Sequence, residues 1–146
     1  MKNYLILLFL LITTLTFGQN KYISTGISYS GQQTIYQIET GYLNENFRLG
    51  TILNTSKDST NKYSTYGGIK IYYSPSHLTK QIDLATYTGL YISFMKNHPL
   101  QFEPGIALIY NVSNKLSIQW NISAPIYENI PLVNPSTGIS VNYFLK

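Results

Sequence analysis

No cysteine occurs anywhere in the 146 residues, so no disulfide can staple a small exported core and no thiol can receive a lipoprotein anchor. Charge is scarce as well. Asp, Glu, Lys and Arg make up 11% of the chain, against about 25% in an ordinary soluble domain, yet mean hydropathy is only −0.04. Runs of Lys or Arg are missing, which excludes a nucleic-acid or polyanion footprint. Past residue 12 there is no long apolar run, and past Asn20 no stretch of ten or more residues with helical periodicity. Low charge without high hydropathy requires apolar and polar residues to be interleaved.

What is present begins with a leader. Met1-Lys2-Asn3 is a short positive region, Tyr4 to Ile12 is unbroken and apolar, and Thr13 to Gly18 brings small residues before Gln19. This is the pattern of a secretory signal peptide, residues 1–18, and the apolar run is well short of the ~20 residues of a spanning helix. Residues 19–146 form the exported domain. Without Lys2, nine basic residues face six acidic ones, spread along the chain.

Eight alternating segments follow: Lys21 to Ser30, Thr34 to Leu43, Asn46 to Asn54, Lys62 to Ser74, Gln81 to Phe94, Leu100 to Val112, Lys115 to Ala124 and Ser136 to Phe144. Gly, Asn and Pro punctuate them, as in an all-β sandwich or barrel. The closing segment, STGISVNYFLK, puts Thr137, Ile139, Val141, Tyr143 and Leu145 on one face and small or polar residues on the other, with Phe144 out of step. One apolar and one polar face per strand suit a membrane barrel, with lipid outside and side chains filling the middle. Connections two (Asn44-Glu45) and six are tight. Connections three (Thr55 to Asn61) and seven (Pro125 to Pro135) are long, one and five short, and four (Pro75 to Lys80) longer than a periplasmic turn should be.

Aromatics sharpen the reading, because a spanning barrel carries aromatic girdles at both water interfaces. On the apolar faces, Tyr42, Phe47, Tyr73, Tyr110 and Tyr143 fall at one set of strand ends and Tyr29, Tyr36, Tyr63, Phe94 and Phe102 at the other. Aliphatic residues such as Ile38, Leu49, Ile69, Leu90, Ile106 and Ile139 lie between. Trp120 is the exception, a mid-strand indole whose N–H needs a partner.

With these features the chain resembles the small eight-stranded outer-membrane β-barrel proteins of Gram-negative bacteria, from Lys21 to Lys146. The resemblance implies an eight-stranded antiparallel up-and-down transmembrane β-barrel in the outer membrane, surrounded by outer-membrane lipids. It also implies that Ser136 to Lys146 is the signal read by the barrel-assembly machinery, although this strand ends on Leu145 and Lys146 where the family ends on an aromatic. We expect a monomer without cofactor or nucleic-acid partner.

Eight strands leave an interior just wide enough for side chains to fill. Glu39, Arg48, Lys70 and Asp83 are expected in the periplasmic half of the lumen as a structural charge cluster. If Tyr42 faces Phe47, Glu39 and Arg48 become diagonal neighbours able to pair. Glu103 is the lumen charge near the outer mouth, a possible ligand contact, with Ser93 across from it if Phe94 faces Phe102. An enzyme is not expected: His98, Ser93 and Glu103 are spaced without a nucleophile–base–orienter chain, and His77 and His98, without cysteine, make no metal site. The expected function is a non-enzymatic role in envelope integrity or surface interaction. The alternative is a binding or transport module, either a narrow pore for small apolar molecules or ions or a periplasmic lipocalin-like barrel with its faces reversed.

Overall fold

The computed structural model describes residues 20–31, 33–44, 46–57, 61–94, 100–127 and 135–145. Residues 1–18, expected as a signal peptide, Glu45, His98, Lys146 and most of the third, fifth and seventh connections lie outside them. Alternation throughout makes strands and nothing else: β1 (Lys21–Ser30), β2 (Gln33–Asn44), β3 (Phe47–Lys57), β4 (Tyr63–His77), β5 (Ile82–Ser93), β6 (Leu100–Ser113), β7 (Leu116–Ser123), a two-residue β8 (Ile126–Tyr127) and β9 (Ser136–Leu145). Each long strand pairs antiparallel with the next, β8 adds a short pairing to β6, and β9 pairs with both β7 and β1. The sheet therefore closes on itself as an eight-stave barrel without a free edge. The seam between β1 and β9 is regular over its whole length, from Lys21↔Leu145 to Ser30↔Ser136.

Pairings fix the tilt of the staves. A ladder that leaves β6 at Tyr110 passes Ile118, Val141, Thr25, Ile38, Leu53, Gly67 and Ile92 and returns to β6 at Leu100, ten residues away. With strands ~4.8 Å apart and rising ~3.4 Å per residue, that stagger corresponds to a tilt of roughly 40°, inside the usual barrel range.

The faces sort as the parity requires, and the outcome is inverted relative to a soluble protein. Large apolar side chains on every long strand point outward and are exposed, among them Ile38, Leu49, Ile69, Leu90, Ile106, Ile118 and Ile139. The buried set is mostly polar or charged: Glu39, Lys70, Arg48, Gln119, Asn121, Asn142 and many serines. A monomer in water rarely exposes an apolar patch beyond a few hundred Å²; here the patch is a belt around the whole wall.

Two details differ from the sequence reading. The second turn is 45–46 and not Asn44-Glu45, because Asn44 pairs with Phe47 and Tyr42 with Leu49. This is a slip of two residues along the partner strand, and a period of two cannot detect it, since every side chain keeps its face. The fourth connection is shorter than Pro75 to Lys80 because β4 runs on to His77, with a bulge between Tyr73 and Ser76. Pro75 has no N–H for the ladder, and a bulge is where a strand tolerates that. The turn beyond is held by Thr79, whose Oγ1 accepts from the backbone N–H groups of Gln81 and Ile82 at 3.2 and 3.0 Å.

Candidate functional site

The lumen contains the groups with chemistry, and it divides into three levels. At mid-height lies Glu39, 1% exposed, which accepts hydrogen bonds from the hydroxyls of Tyr22 on β1 and, at 3.1 Å, Tyr72 on β4. Room for this arrangement comes from Gly50 on β3, where a Cβ would stand 2.5 Å from the Tyr22 hydroxyl and 2.6 Å from Glu39 Oε1. Lys70 is also buried, its Nζ 4.2 Å from the centre of the Tyr87 ring and 5.5 Å from that of Tyr72. The mid-lumen is thus an acid and an amine separated and solvated by tyrosines, a substitute for the water each would otherwise need.

Above this level Glu103 accepts from Ser123 Oγ at 2.7 Å and from the Tyr87 hydroxyl at 3.3 Å. Ser93 does not stand opposite it. Phe102 pairs with Leu90 rather than Phe94, so Glu103 stands opposite Gly89, while Ser93 pairs with Tyr66 at the far end of β5. Again the slip is an even number of residues, invisible to parity. The voids at this level are about 20 and 10 Å³, room for about one water each.

Below, the lumen opens into a vestibule of about 380 Å³. Arg48 lies at its inner end, donating to Gln119 Oε1 at 3.4 Å with its guanidinium carbon 5.3 Å from the centre of the Phe144 ring. Asp83 lies toward the rim, in contact with His77 Nδ1 at 2.5 Å and accepting from Asn111 Nδ2 at 2.8 Å. The four expected cluster members therefore do not form one group. Glu39 and Lys70 share the middle, whereas Arg48 and Asp83 each have other partners. Glu39 and Arg48 are not diagonal neighbours, because Glu39 pairs with Ile52 and Arg48 with Leu43. His77, inside the expected fourth connection, closes β4 and bonds Asp83 while its side chain stays 70% exposed.

On the outer wall Tyr29, Tyr36, Tyr42, Phe47, Tyr63, Tyr73, Phe102, Tyr110 and Tyr143 are exposed at strand ends. Phe94 lies just past β5, half-buried, its N–H bonded to Thr65. Trp120 finds its partner without any shift of frame: Nε1 donates to Thr137 Oγ1 on β9 at 3.0 Å. Sequence reasoning missed Tyr22, Tyr72 and Ser123. Their inward parity was available in the alternation with Ser24, Lys70 and Asn121, but assigning aromatics to girdles hid the tyrosines that serve the lumen.

Among the described residues no group of three or more His, Asp or Glu side chains is placed to hold a metal ion. No protein-family model and no curated protein sequence matches the chain. Solved structures do. The crystal structure of the N-terminal β-barrel domain of Pseudomonas aeruginosa OprF superposes with a TM-score of 0.71 at 11% identity, over 88% of this chain and 100% of that one. A de novo designed transmembrane β-barrel gives 0.61 at 9%, over 89% and 98%. The Yersinia pestis outer-membrane protein Ail, solved in a phospholipid bilayer nanodisc, gives 0.58 at 9%, over 88% and 100%. The fold is that of the small eight-stranded outer-membrane barrels.

Proposed function

We propose that the chain is an outer-membrane β-barrel protein, embedded in outer-membrane lipid with its chain ends in the periplasm and non-enzymatic. Its role is in envelope integrity or surface contact, and its lumen is sealed by side chains. The observation that supports this most is the inversion of faces: a complete belt of exposed Ile, Leu, Val, Tyr and Phe around a polar interior. That distribution is costly in water and favourable in a bilayer. A lipocalin-type barrel needs the reverse, with apolar side chains inside. Sealing is supported by the mid-lumen, where Tyr22, Glu39, Lys70, Tyr72, Tyr87 and Gln119 are each at most 5% exposed. Ser136 to Lys146 supplies the segment by which assembly machinery recognises the chain. A monomer suits a sheet whose closure leaves no strand edge for a second copy. The absence of an enzymatic role is supported by Ser93 and Glu103 standing apart on β5 and β6.

Fractionation combined with electrophoresis of unboiled and boiled samples tests the reading. The protein should sediment with outer membranes and migrate differently when unheated. Recovery in the soluble periplasm, without a heat shift, would sink it. A second reading, a narrow ion pathway, has the line of Arg48, Glu39, Lys70 and Glu103 in its favour; planar-bilayer recordings separate the two, since a sealed lumen gives no unitary current steps.

A further inference from the structure

Arg48 carries a charge that a sealed lumen does not use. Its side chain is 9% exposed, yet the ion pair found among the described residues is His77–Asp83. Among the described residues its contacts are one long bond to Gln119 Oε1, 3.4 Å, and the face of Phe144. Of the described carboxylates in this half, Glu39 bonds Tyr22 and Tyr72, and Asp83 bonds His77 and Asn111. Among the described residues no carboxylate stands in salt-bridge contact with this largely buried guanidinium, which is costly, and its N–H donors form a planar fork that matches two carboxylate oxygens.

In front of that fork lies the 380 Å³ vestibule, within the range of about 300 to 1,000 Å³ that holds small organic ligands. Its lining includes Phe144 and the almost wholly buried Ile109 and Ala85, and Asn46 and Asn114 contribute primary amides. A primary amide donates and accepts, as a peptide group does. A bare inorganic anion would use the guanidinium and neither of the other features. We propose that the vestibule binds the free C-terminal carboxylate of a short peptide. The carboxylate bonds Arg48, the last side chain lies against Ile109 and Phe144, and the peptide groups meet the asparagine amides. The proposal rests on the orientation given above only for the compartment that supplies the peptide, the periplasm; the site itself does not depend on it.

The test uses the barrel purified from membranes in zwitterionic micelles. It is titrated with N-acetyl-Ala-Ala-Ala as free acid, with the same peptide as C-terminal amide, and with inorganic phosphate, and read by calorimetry and by backbone amide NMR shifts. The free acid should bind saturably, with shifts concentrated at Arg48, Asn114 and Phe144. The amide and phosphate should each bind at least about tenfold more weakly, the loss of a charge-assisted contact. Arg48→Gln should weaken the acid by a similar factor, and Arg48→Lys by less. Equal binding of acid and amide, or unchanged binding by Arg48→Gln, overturns the proposal, and so does phosphate binding as tightly as the acid. The acid–amide comparison on the unaltered chain needs no variant to fold. Failure to bind by a sample that still shows the heat shift removes the peptide site and leaves the barrel reading intact; loss of the heat shift removes the barrel reading.

Discussion

The outer wall and the lumen are built from alternate residues of the same strands, yet they are stabilised in opposite ways. On the wall, Ile38 beside Leu53, Ile106 beside Ile122 and Ile69 beside Leu90 are interchangeable apolar contacts, and none depends on a particular partner. In the lumen Glu39 depends on Tyr22 and Tyr72, Glu103 on Ser123 and Tyr87, and Gln119 on Arg48, Asn121 and Asn142. A wall of this kind tolerates change so long as the residue stays apolar. A lumen of this kind tolerates it only where the hydrogen bonds are kept, because a buried polar group left alone loses far more than a satisfied one gains.

The largest expected effect breaks the lumen. Glu39→Ala removes the acceptor of two tyrosine hydroxyls and leaves both buried donors unpaired, and equilibrium urea unfolding in lipid vesicles should show a loss of about 3–5 kcal/mol. Glu39→Gln keeps an acceptor and should lose less, about 1–3 kcal/mol. Next comes the wall. Ile106→Arg places a cation at the outward centre of β6, where Ile106 is half exposed, and should cost about 2–4 kcal/mol in the same assay. Ile106→Leu should cost almost nothing. If Glu39→Ala proved cheaper than Ile106→Leu, the contrast between an indifferent wall and a specific lumen would be wrong.

How far the sequence could be read follows from the same contrast. Parity alone separates Ile106 from Gln119 and Tyr143 from Asn142, so the number of long strands and their two faces were legible. What parity cannot see is height. Slips of two or four residues leave each face unchanged, and this is why Glu39 was set beside Arg48, and Glu103 beside Ser93, while the structure pairs them with Ile52, Leu43, Gly89 and Tyr66. Lumen chemistry also hid behind a shared residue type. Tyr22 and Tyr72 face inward as bond donors, Tyr29 and Tyr73 face outward at strand ends, and only their position in the alternation distinguishes them.

A smaller effect sharpens the account of the lumen's middle. Gly50→Ala adds one methyl group where the Tyr22 hydroxyl and Glu39 Oε1 already stand 2.5 and 2.6 Å from the new carbon. The tyrosine must move or its bond to Glu39 must open, and the expected loss is about 1–3 kcal/mol. Gly50→Ala combined with Tyr22→Phe should lose less than the separate losses added together, since both act on one bond. Strict additivity would mean that the glycine serves the backbone and not the tyrosine.

The smallest effect concerns Trp120, where the wall behaves as the lumen does. Its indole N–H donates to Thr137 Oγ1 at 3.0 Å, across the β7–β9 ladder. In lipid that donor has no water to turn to, so the bond is selected by the same rule that governs Glu39, at lower stakes because neither group is charged. Trp120→Phe should lose about 0.5–1.5 kcal/mol beyond the change in area, and Thr137→Val a similar amount. The double substitution removes donor and acceptor together, leaves nothing unsatisfied, and should recover part of the loss. Two single losses that simply add would show that the indole finds its partner in the lipid interface instead, and that the wall holds no specific contact at all.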